Sequence, residues 1–132
     1  MTREELSKLY WLNREIQLEQ LRLEELRSAA ESVTSPISGL PHVKGELRRA
    51  EEIRILLAEQ EELVALKVKQ SVIEYNRLLR FIGDVDDPLV REILRRRFVD
   101  GQTWRDVAQS LGGGNSEEGV RKLCYRFLKE SQ

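Results

Sequence analysis

The segment from Thr2 to Val33 carries one uninterrupted helical pattern, and this pattern limits the possible folds more than any other feature. Apolar side chains recur at the first and fourth positions of a seven-residue repeat, without Gly or Pro. Thr2 followed by Glu5 is a capping-box pattern. We therefore predict one long α-helix over residues 2–33, whose apolar stripe another helix must cover. The stripe comprises Leu9, Leu12, Ile16, Leu23, Leu26, Ala30 and Val33, is interrupted by Glu19, and is widened by Leu6, Leu18 and Leu21.

A second long helix is predicted over residues 46–82, after a Pro-, Gly- and Ser-rich loop over residues 34–45. Its apolar residues recur near the helical period, with polar Gln60 and Ser71 in the gaps. Two such helices fold back as an antiparallel hairpin, which buries little core by itself. The main stripe comprises Ile53, Leu57, Val64, Val68, Tyr75, Leu78 and Ile82, and a second comprises Leu56, Leu63 and Leu66.

The width of these stripes bears on the role of residues 1–83. One possibility is a hairpin that packs only within its own chain. The other, which we favour, is a homodimer through the hairpin, because the stripes are wider than one hairpin can bury. The hairpin is therefore expected to serve oligomerisation or the docking of a partner.

Residues 84–132 have the layout of a helix-turn-helix DNA-binding domain. Asp87 and Thr103 are expected to cap two short helices, and Asn115 or Ser116 to cap the closing one. Ala108 is the small residue required where the first helix of the motif packs on the second. The two short helices are predicted over residues 89–98 and 104–111, and the core residues are Leu94, Phe98, Trp104, Val107, Leu111, Val120, Cys124, Phe127 and Leu128.

The outer face of the closing helix is the candidate DNA-binding surface. In major-groove docking, the first turns of this helix meet base edges while flanking basic residues meet phosphates. Arg105 and Arg97 are candidate backbone clamps, although Arg95, Arg96 and Arg97 could equally form a solvated face with one Arg paired to Glu92 or Asp100. The candidate contact residues on the closing helix are Glu118, Arg121, Lys122, Tyr125 and Arg126.

Charge is distributed unevenly along the chain, although the net charge is only −1. Residues 1–87 carry 13 Lys and Arg against 17 Asp and Glu, a net of −4, whereas residues 88–132 carry 9 against 6, a net of +3. The positive half therefore coincides with the helix-turn-helix pattern, as phosphate binding requires. The excess is small, so one copy alone is expected to bind DNA weakly.

The stretch ILRRRFVDGQTWRDVAQSLG followed by SEEGVRKLCYRFLK resembles region four of bacterial sigma factors, which reads the −35 promoter element. Residues 104–108 stand where that family has an aromatic-acidic-acidic-Ile-Ala run. Ser116 to Val120 stands where it has Ser-x-x-Thr-Val. The chain departs from the family in its turn, Gly-Gly-Gly-Asn over residues 112–115, and in Gly119, which replaces the Thr.

The whole chain resembles the small ArpU-like and RinA-like phage regulators, which join a sigma-like helix-turn-helix to an N-terminal helical region. Leu26-Arg27-Ser28 and the segment over residues 35–41 carry the N-terminal part of this resemblance. The resemblance implies activation of late or packaging genes in a prophage or mobile element, together with host RNA polymerase.

These observations favour a cytoplasmic, all-α regulator that binds double-stranded DNA. We expect neither an enzyme nor a cofactor or metal, because His42 has no second His or nearby Cys and Cys124 has no adjacent base. A signal peptide and a membrane span are not expected either. Two alternatives remain: a DNA-packaging protein of the small-terminase kind, and a coiled-coil adaptor that binds RNA polymerase without DNA.

Overall fold

The computed structural model of the protein describes residues 1–34 and 44–131. Within these residues the chain is all-α and contains no strand. Residues 35–43, which include His42 and most of the predicted loop, lie outside the described residues. None of the described helices combines the length and the hydrophobicity that a membrane span requires. The helices are α1 (Arg3–Thr34), α2 (Lys44–Gly83), α3 (Pro88–Leu94), α4 (Trp104–Leu111) and α5 (Glu117–Glu130), and a π-helical turn spans Arg95–Val99.

Short polar side chains cap the helix starts, as the sequence predicted. At the last helix, Ser116 is the cap, and Asn115 belongs to the preceding turn instead. Each capping oxygen accepts a hydrogen bond from a backbone N–H of the first turn, which would otherwise have no partner. These bonds join Thr2 to Glu5 (3.2 Å), Asp87 to Leu89 (2.9 Å), Thr103 to Asp106 (3.1 Å) and Ser116 to Gly119 (3.0 Å).

Helix α3 ends earlier than the predicted limit at Phe98. It stops at Leu94, and the chain continues as a π-helical turn in which the backbone N–H of Asp100 donates to the carbonyl of Arg95 at 3.0 Å. A π-helical turn holds one residue more than an α-helical turn. The apolar spacing of this short segment fits either geometry, so the sequence pattern gave no sign of the change.

The first compact unit comprises Met1–Asn13 and Gln70–Gln132. The three helices of the helix-turn-helix segment share one core here with the ends of α1 and α2. Burial of this shared apolar surface is the main stabilising term for such a unit. The predicted division into residues 1–83 and 84–132 concerns function and stays a prediction. The buried cluster comprises Leu6, Leu9, Leu78, Ile82, Val85, Val90, Ile93, Leu94, Trp104, Val107, Ala108, Val120, Cys124 and Leu128.

Within this unit, the start of α1 runs antiparallel to the end of α2. Residue numbers fall along α2 as they rise along α1 across three polar contacts. These side chains are exposed or half-buried, so the contacts define the pairing of the helices more than they stabilise it. The contacts are Glu5 with Arg77 (3.3 Å), Lys8 with Glu74 (3.1 Å) and Asn13 with Ser71 (2.7 Å).

The second compact unit, Arg14–Lys69, is an antiparallel pair formed by the remainder of α1 and α2. Among its described residues, Ile16, Leu23, Leu26 and Ile53 are the buried apolar side chains. Gln60 donates to both the side chain and the backbone carbonyl of Glu19, at 2.6 and 2.9 Å. The polar interruptions of the two predicted stripes therefore pair with each other.

Several residues of the predicted stripes are exposed. On α2, Val68 and Tyr75 are each 41% exposed, whereas the largely buried side chains of Lys67 and Glu74 face α1 beside Ser71, which the predicted stripe included. The predicted main stripe of α2 is therefore wrong at these two positions. The further exposed apolar residues of the second unit are Leu18, Leu21, Leu47, Ile55, Leu56 and Leu66.

Candidate nucleic-acid interface

Helices α4 and α5 pack through small and apolar residues, as a helix-turn-helix requires. Val107 and Cys124 are fully buried, and Ala108 and Val120 are nearly so. Leu128 extends this contact along α5. The small side chain of Ala108 allows the two helices to approach closely. The outer face of α5 is consequently turned to solvent, where a ligand can reach it.

Three consecutive glycines shape the turn between α4 and α5. Gly112, Gly113 and Gly114 have φ angles of +62°, +61° and +81°, a region that side chains with a Cβ disfavour. The carbonyl of Gly112 accepts hydrogen bonds from the backbone N–H and the side-chain amide of Asn115, at 3.1 and 2.7 Å. The turn is therefore held by hydrogen bonds, and it fixes where α5 begins.

The surroundings of residue 119 give a reason for glycine at this position. A Cβ at this position would lie 2.9 Å from the capping hydroxyl of Ser116, which accepts a hydrogen bond from the Gly119 N–H. A side chain here would displace the cap of α5. Glycine at residue 119 therefore fits the close Ser116 cap, where the resembling family has Thr.

The exposed cations of the predicted surface include three arginines without an ion pair. Among the described residues, Arg105, Arg121 and Arg126 are exposed and form no salt bridge. Lys122 pairs with Glu118 at 3.0 Å, but both side chains are about two-thirds exposed, so water and salt weaken the pair. Arginine presents a planar fork of N–H donors that matches phosphate oxygens or the edge of guanine. This surface can therefore bind a polyanion.

Arg97 and Tyr125 are held by contacts within the protein, with Trp104 at the centre. The Arg97 guanidinium lies 4.8 Å from the centroid of the Trp104 ring and donates to the backbone carbonyl of Gln102 at 2.9 Å. Tyr125 meets Trp104 edge to face at 5.6 Å, and the guanidinium of Arg3 lies 4.3 Å from the Tyr125 centroid. The roles of Arg97 and Tyr125 in DNA binding stay predictions, and both side chains already have contacts within the protein.

The consecutive arginines at residues 95–97 have different contacts, and the sequence analysis allowed for this outcome. Arg96 pairs with Glu92 at 3.0 Å, which confirms that one arginine of the run has this partner. Arg95 is exposed, and Arg97 contacts Trp104. The three neighbouring arginines therefore have three different environments.

Cys124 lies in the core beneath α5. Burial raises the pKa of its thiol to about 12, although the positive charges of Arg97 and Arg3 act in the opposite direction. A neutral, buried thiol is a packing group and a poor nucleophile. The described residues contain no group of three or more His, Cys, Asp or Glu side chains that could hold a metal.

The sequence patterns did not single out the residues of α1 that border this region. Tyr10 and Trp11 lie outside the predicted stripe and are 50% and 58% exposed. Two adjacent aromatic residues at positions that a heptad assigns to solvent were the available signal. Arg3 gave no such signal, because its contact with Tyr125 depends on the tertiary fold.

No protein-family model, curated protein or solved structure matches this chain. The resemblance to sigma region four and to the phage regulators therefore stays a prediction from the residues quoted above.

Proposed function

We propose that this protein is a sequence-specific DNA-binding regulator of transcription, and that the outer face of α5 enters the major groove. The observation that carries the proposal is a set of exposed arginines that form no salt bridge among the described residues: Arg105 on α4, and Arg121 and Arg126 on the Ser116-capped α5. Phosphate contacts from Arg105 would position the protein, and Arg121 and Lys122 in the early turns of α5 would meet base edges.

The proposal extends to the biological role that the resemblance implies. The protein would activate late genes of a phage or mobile element with host RNA polymerase. An activator that binds DNA weakly as a single copy needs a second contact, either another copy or the polymerase. The net charge of +3 over residues 88–132 supports this dependence.

We further propose that the second copy binds through the Arg14–Lys69 unit. Its described residues bury four large apolar side chains and leave others such as Leu21 and Ile55 more than half exposed. Two copies would cover these side chains as a four-helix bundle with two-fold symmetry. Multi-angle light scattering should give a dimer. A ring of eight or more subunits would favour a packaging protein of the small-terminase kind.

The DNA-binding proposal is tested by replacing Arg121 and Lys122 together with Ala. Duplexes selected by the wild-type protein from a random library would be titrated at several salt concentrations, including about 150 mM. We expect the affinity for the selected duplexes at that salt to be lost, because the variant lacks the two side chains assigned to base edges. The matched control replaces Arg48 and Arg49, an adjacent exposed pair on α2, with Ala.

Circular dichroism would check that both double variants keep the helicity of the wild type. If the Arg121 and Lys122 variant retains its affinity at about 150 mM salt, the assigned face is wrong. If no duplex is selected while RNA polymerase captures the protein, the coiled-coil adaptor replaces the regulator.

A further inference from the structure

An aromatic groove with arginines in its walls lies in the Met1–Asn13 and Gln70–Gln132 unit. It consists of two adjoining depressions of about 340 and 510 Å³ that share Ser7, Trp11, Arg97 and Phe98. Volumes of this order accept one or two side chains of a bound segment. The remaining lining residues are Tyr10, Gly101 and Thr103 in the first depression and Arg3, Glu4 and Tyr125 in the second.

The side chains in the walls of the groove contact one another. Tyr10 meets Trp11 edge to face with ring centroids 5.1 Å apart, and Phe98 meets Trp104 in the same way at 6.4 Å. The Arg3 guanidinium lies against the face of the Tyr125 ring. A surface with few side chains left to order loses little entropy when it binds, which favours affinity.

The composition of the groove is that of a protein-binding surface. Trp, Tyr and Arg are the residues most enriched at the energetic centres of protein interfaces. Trp11 is 58% exposed, so more than half of a large aromatic surface has no cover in this chain. Covering the exposed part of this ring removes apolar surface from water and therefore stabilises a complex. The groove therefore offers an anchor site for an apolar side chain of a partner.

The charged residues that line the groove favour one class of partner. Among the described residues, neither Arg3 nor Arg97 forms an ion pair, and the hydrogen bond from the Arg97 guanidinium to Gln102 uses one of its five N–H groups. An arginine fork of this kind matches a carboxylate. Glu4 is the one carboxylate in the lining, so the charged lining residues give a net of +1.

The π-helical turn is a second sign that this region is specialised. Arg97 and Phe98, two of the four residues shared by both depressions, lie on it. Such turns interrupt regular hydrogen bonding and occur frequently at functional sites. Here the turn places a half-buried guanidinium beside exposed aromatic rings, which an unbroken helix would not provide at the same position.

We propose that this groove binds a short acidic segment of another protein, in which a carboxylate pairs with Arg97 or Arg3 and a neighbouring aromatic or aliphatic side chain covers Trp11. The segment is expected to be about four to six residues long within the groove. The groove shares Arg97 and Tyr125 with the candidate DNA contacts of the sequence analysis, whereas none of Arg105, Arg121, Lys122 and Arg126 lines it.

The test uses the full-length protein and a fluorescein-labelled twelve-residue peptide that alternates Asp and Glu with Leu and Phe. A matched peptide replaces every Asp and Glu with Asn and Gln. Fluorescence polarisation at about 150 mM salt should show at least tenfold tighter binding of the acidic peptide. Trp11→Ala and Arg3→Ala should each weaken that binding by about fivefold to tenfold, whereas Val72→Ala, an exposed position outside the groove, should not.

Arg97→Lys separates charge from geometry, because it keeps the charge but removes the planar fork. We expect it to weaken binding of the acidic peptide as well, with unchanged helicity by circular dichroism.

Equal affinity for the acidic and amide peptides, or the absence of binding at millimolar peptide, would overturn the proposal. Tighter binding of a twelve-nucleotide oligo-dT that Trp11→Ala abolishes would assign the groove to single-stranded nucleic acid instead. Selected duplex DNA should bind Trp11→Ala as tightly as wild type. A failure of the peptide-binding proposal is therefore distinguishable from a failure of the DNA-binding proposal.

Discussion

The two compact units are built partly from the same two helices, yet they bury very different amounts of apolar side chain. In the Met1–Asn13 and Gln70–Gln132 unit, fourteen buried residues form one cluster, whereas the described residues of Arg14–Lys69 bury four. The difference arises because α3, α4 and α5 cover the helix pair in the first unit. An amphipathic helix pair alone leaves most of its apolar surface in water.

This difference indicates separate roles for the two units. The first has a closed core that can hold exposed side chains such as Arg121 in fixed positions. The second has an open apolar surface of the kind that often marks an interaction site. The predictions below test this contrast, beginning with the largest expected effect.

The reactivity of Cys124 measures how completely the core of the first unit is closed. With its pKa raised to about 12 by burial, the thiol should contain about a thousandfold less thiolate at pH 8 than an ordinary cysteine. Labelling with a disulfide reagent should therefore be at least a hundredfold slower in the folded protein than in urea. A Ser28→Cys variant on a Cys124→Ala background supplies an exposed control, and equal rates for the two thiols would show an open core.

The same pKa predicts how Cys124 affects stability at alkaline pH. Its folded value of about 12 lies above the ordinary value of 9.0, so the neutral thiol contributes its full stabilisation below about pH 9. That contribution should be lost as the pH rises from 9 towards 12, because ionisation then favours the unfolded chain. Comparing urea unfolding of wild type with Cys124→Ala over this range isolates the effect, and parallel pH profiles would contradict it.

Matched Leu→Ala substitutions compare the two cores directly. Leu94 is fully buried in the closed core, so Leu94→Ala should lower the free energy of unfolding by about 3 kcal/mol. Leu23 lies among partly exposed neighbours that can close around a cavity, so Leu23→Ala should cost about 1 kcal/mol. Urea unfolding followed by far-ultraviolet circular dichroism reports on both units. Equal losses would mean that the second unit is as well covered as the first.

Glycine substitutions test the rigidity of the turn that positions α5. Gly112 has φ +62°, so Gly112→Ala should cost about 1–2 kcal/mol in thermal unfolding. Gly83 ends α2 without a positive φ and has open space around its Cβ position, so Gly83→Ala should change stability by less than about 0.5 kcal/mol. A tolerated Gly112→Ala would indicate a turn that is not held in this conformation.

The polar pair of the second unit should have the smallest effect. Gln60→Leu removes the hydrogen bonds to the partly buried Glu19, which keeps only its 3.9 Å ion pair with Lys67, and should cost about 1 kcal/mol. Combining it with Glu19→Leu removes both polar groups and should restore the lost stability, since two leucines can pack across the pair. A double-mutant cycle measures the coupling, and simple additivity of the two changes would mean that the contact does not align the helices.

The capping residues and the extent of α4 were predictable because their causes are local. Thr103 and Ser116 each satisfy an N–H group three residues away, and glycines end the pattern at Leu111. The pairing of Glu19 with Gln60 was present in the sequence as two interruptions, but matching them requires the alignment of the two helices. Contacts between residues that are distant in sequence cannot be predicted from such local causes.

The candidate site was harder to predict, because the positions of some of its side chains depend on tertiary contacts. Arg121 and Arg126 are exposed as expected, since the helical period alone places them away from the core. Arg97 and Tyr125 satisfy the same period but are drawn to Trp104, which the period cannot indicate. The π-helical turn has the composition of an ordinary helix, and a change of hydrogen-bond register leaves no periodic signal over five residues.

The π-helical turn also bears on how this chain could change in length during evolution. Because Arg95–Val99 contains one residue more than regular α-helical bonding needs, a deletion there could be absorbed by return to α-helical geometry. The Gly112–Gly114 turn lacks this freedom, since each of its residues has a left-handed conformation. Natural length variants should therefore be tolerated before α4 and selected against after it. Such a deletion would also remove the particular placement of Arg97 beside Trp104.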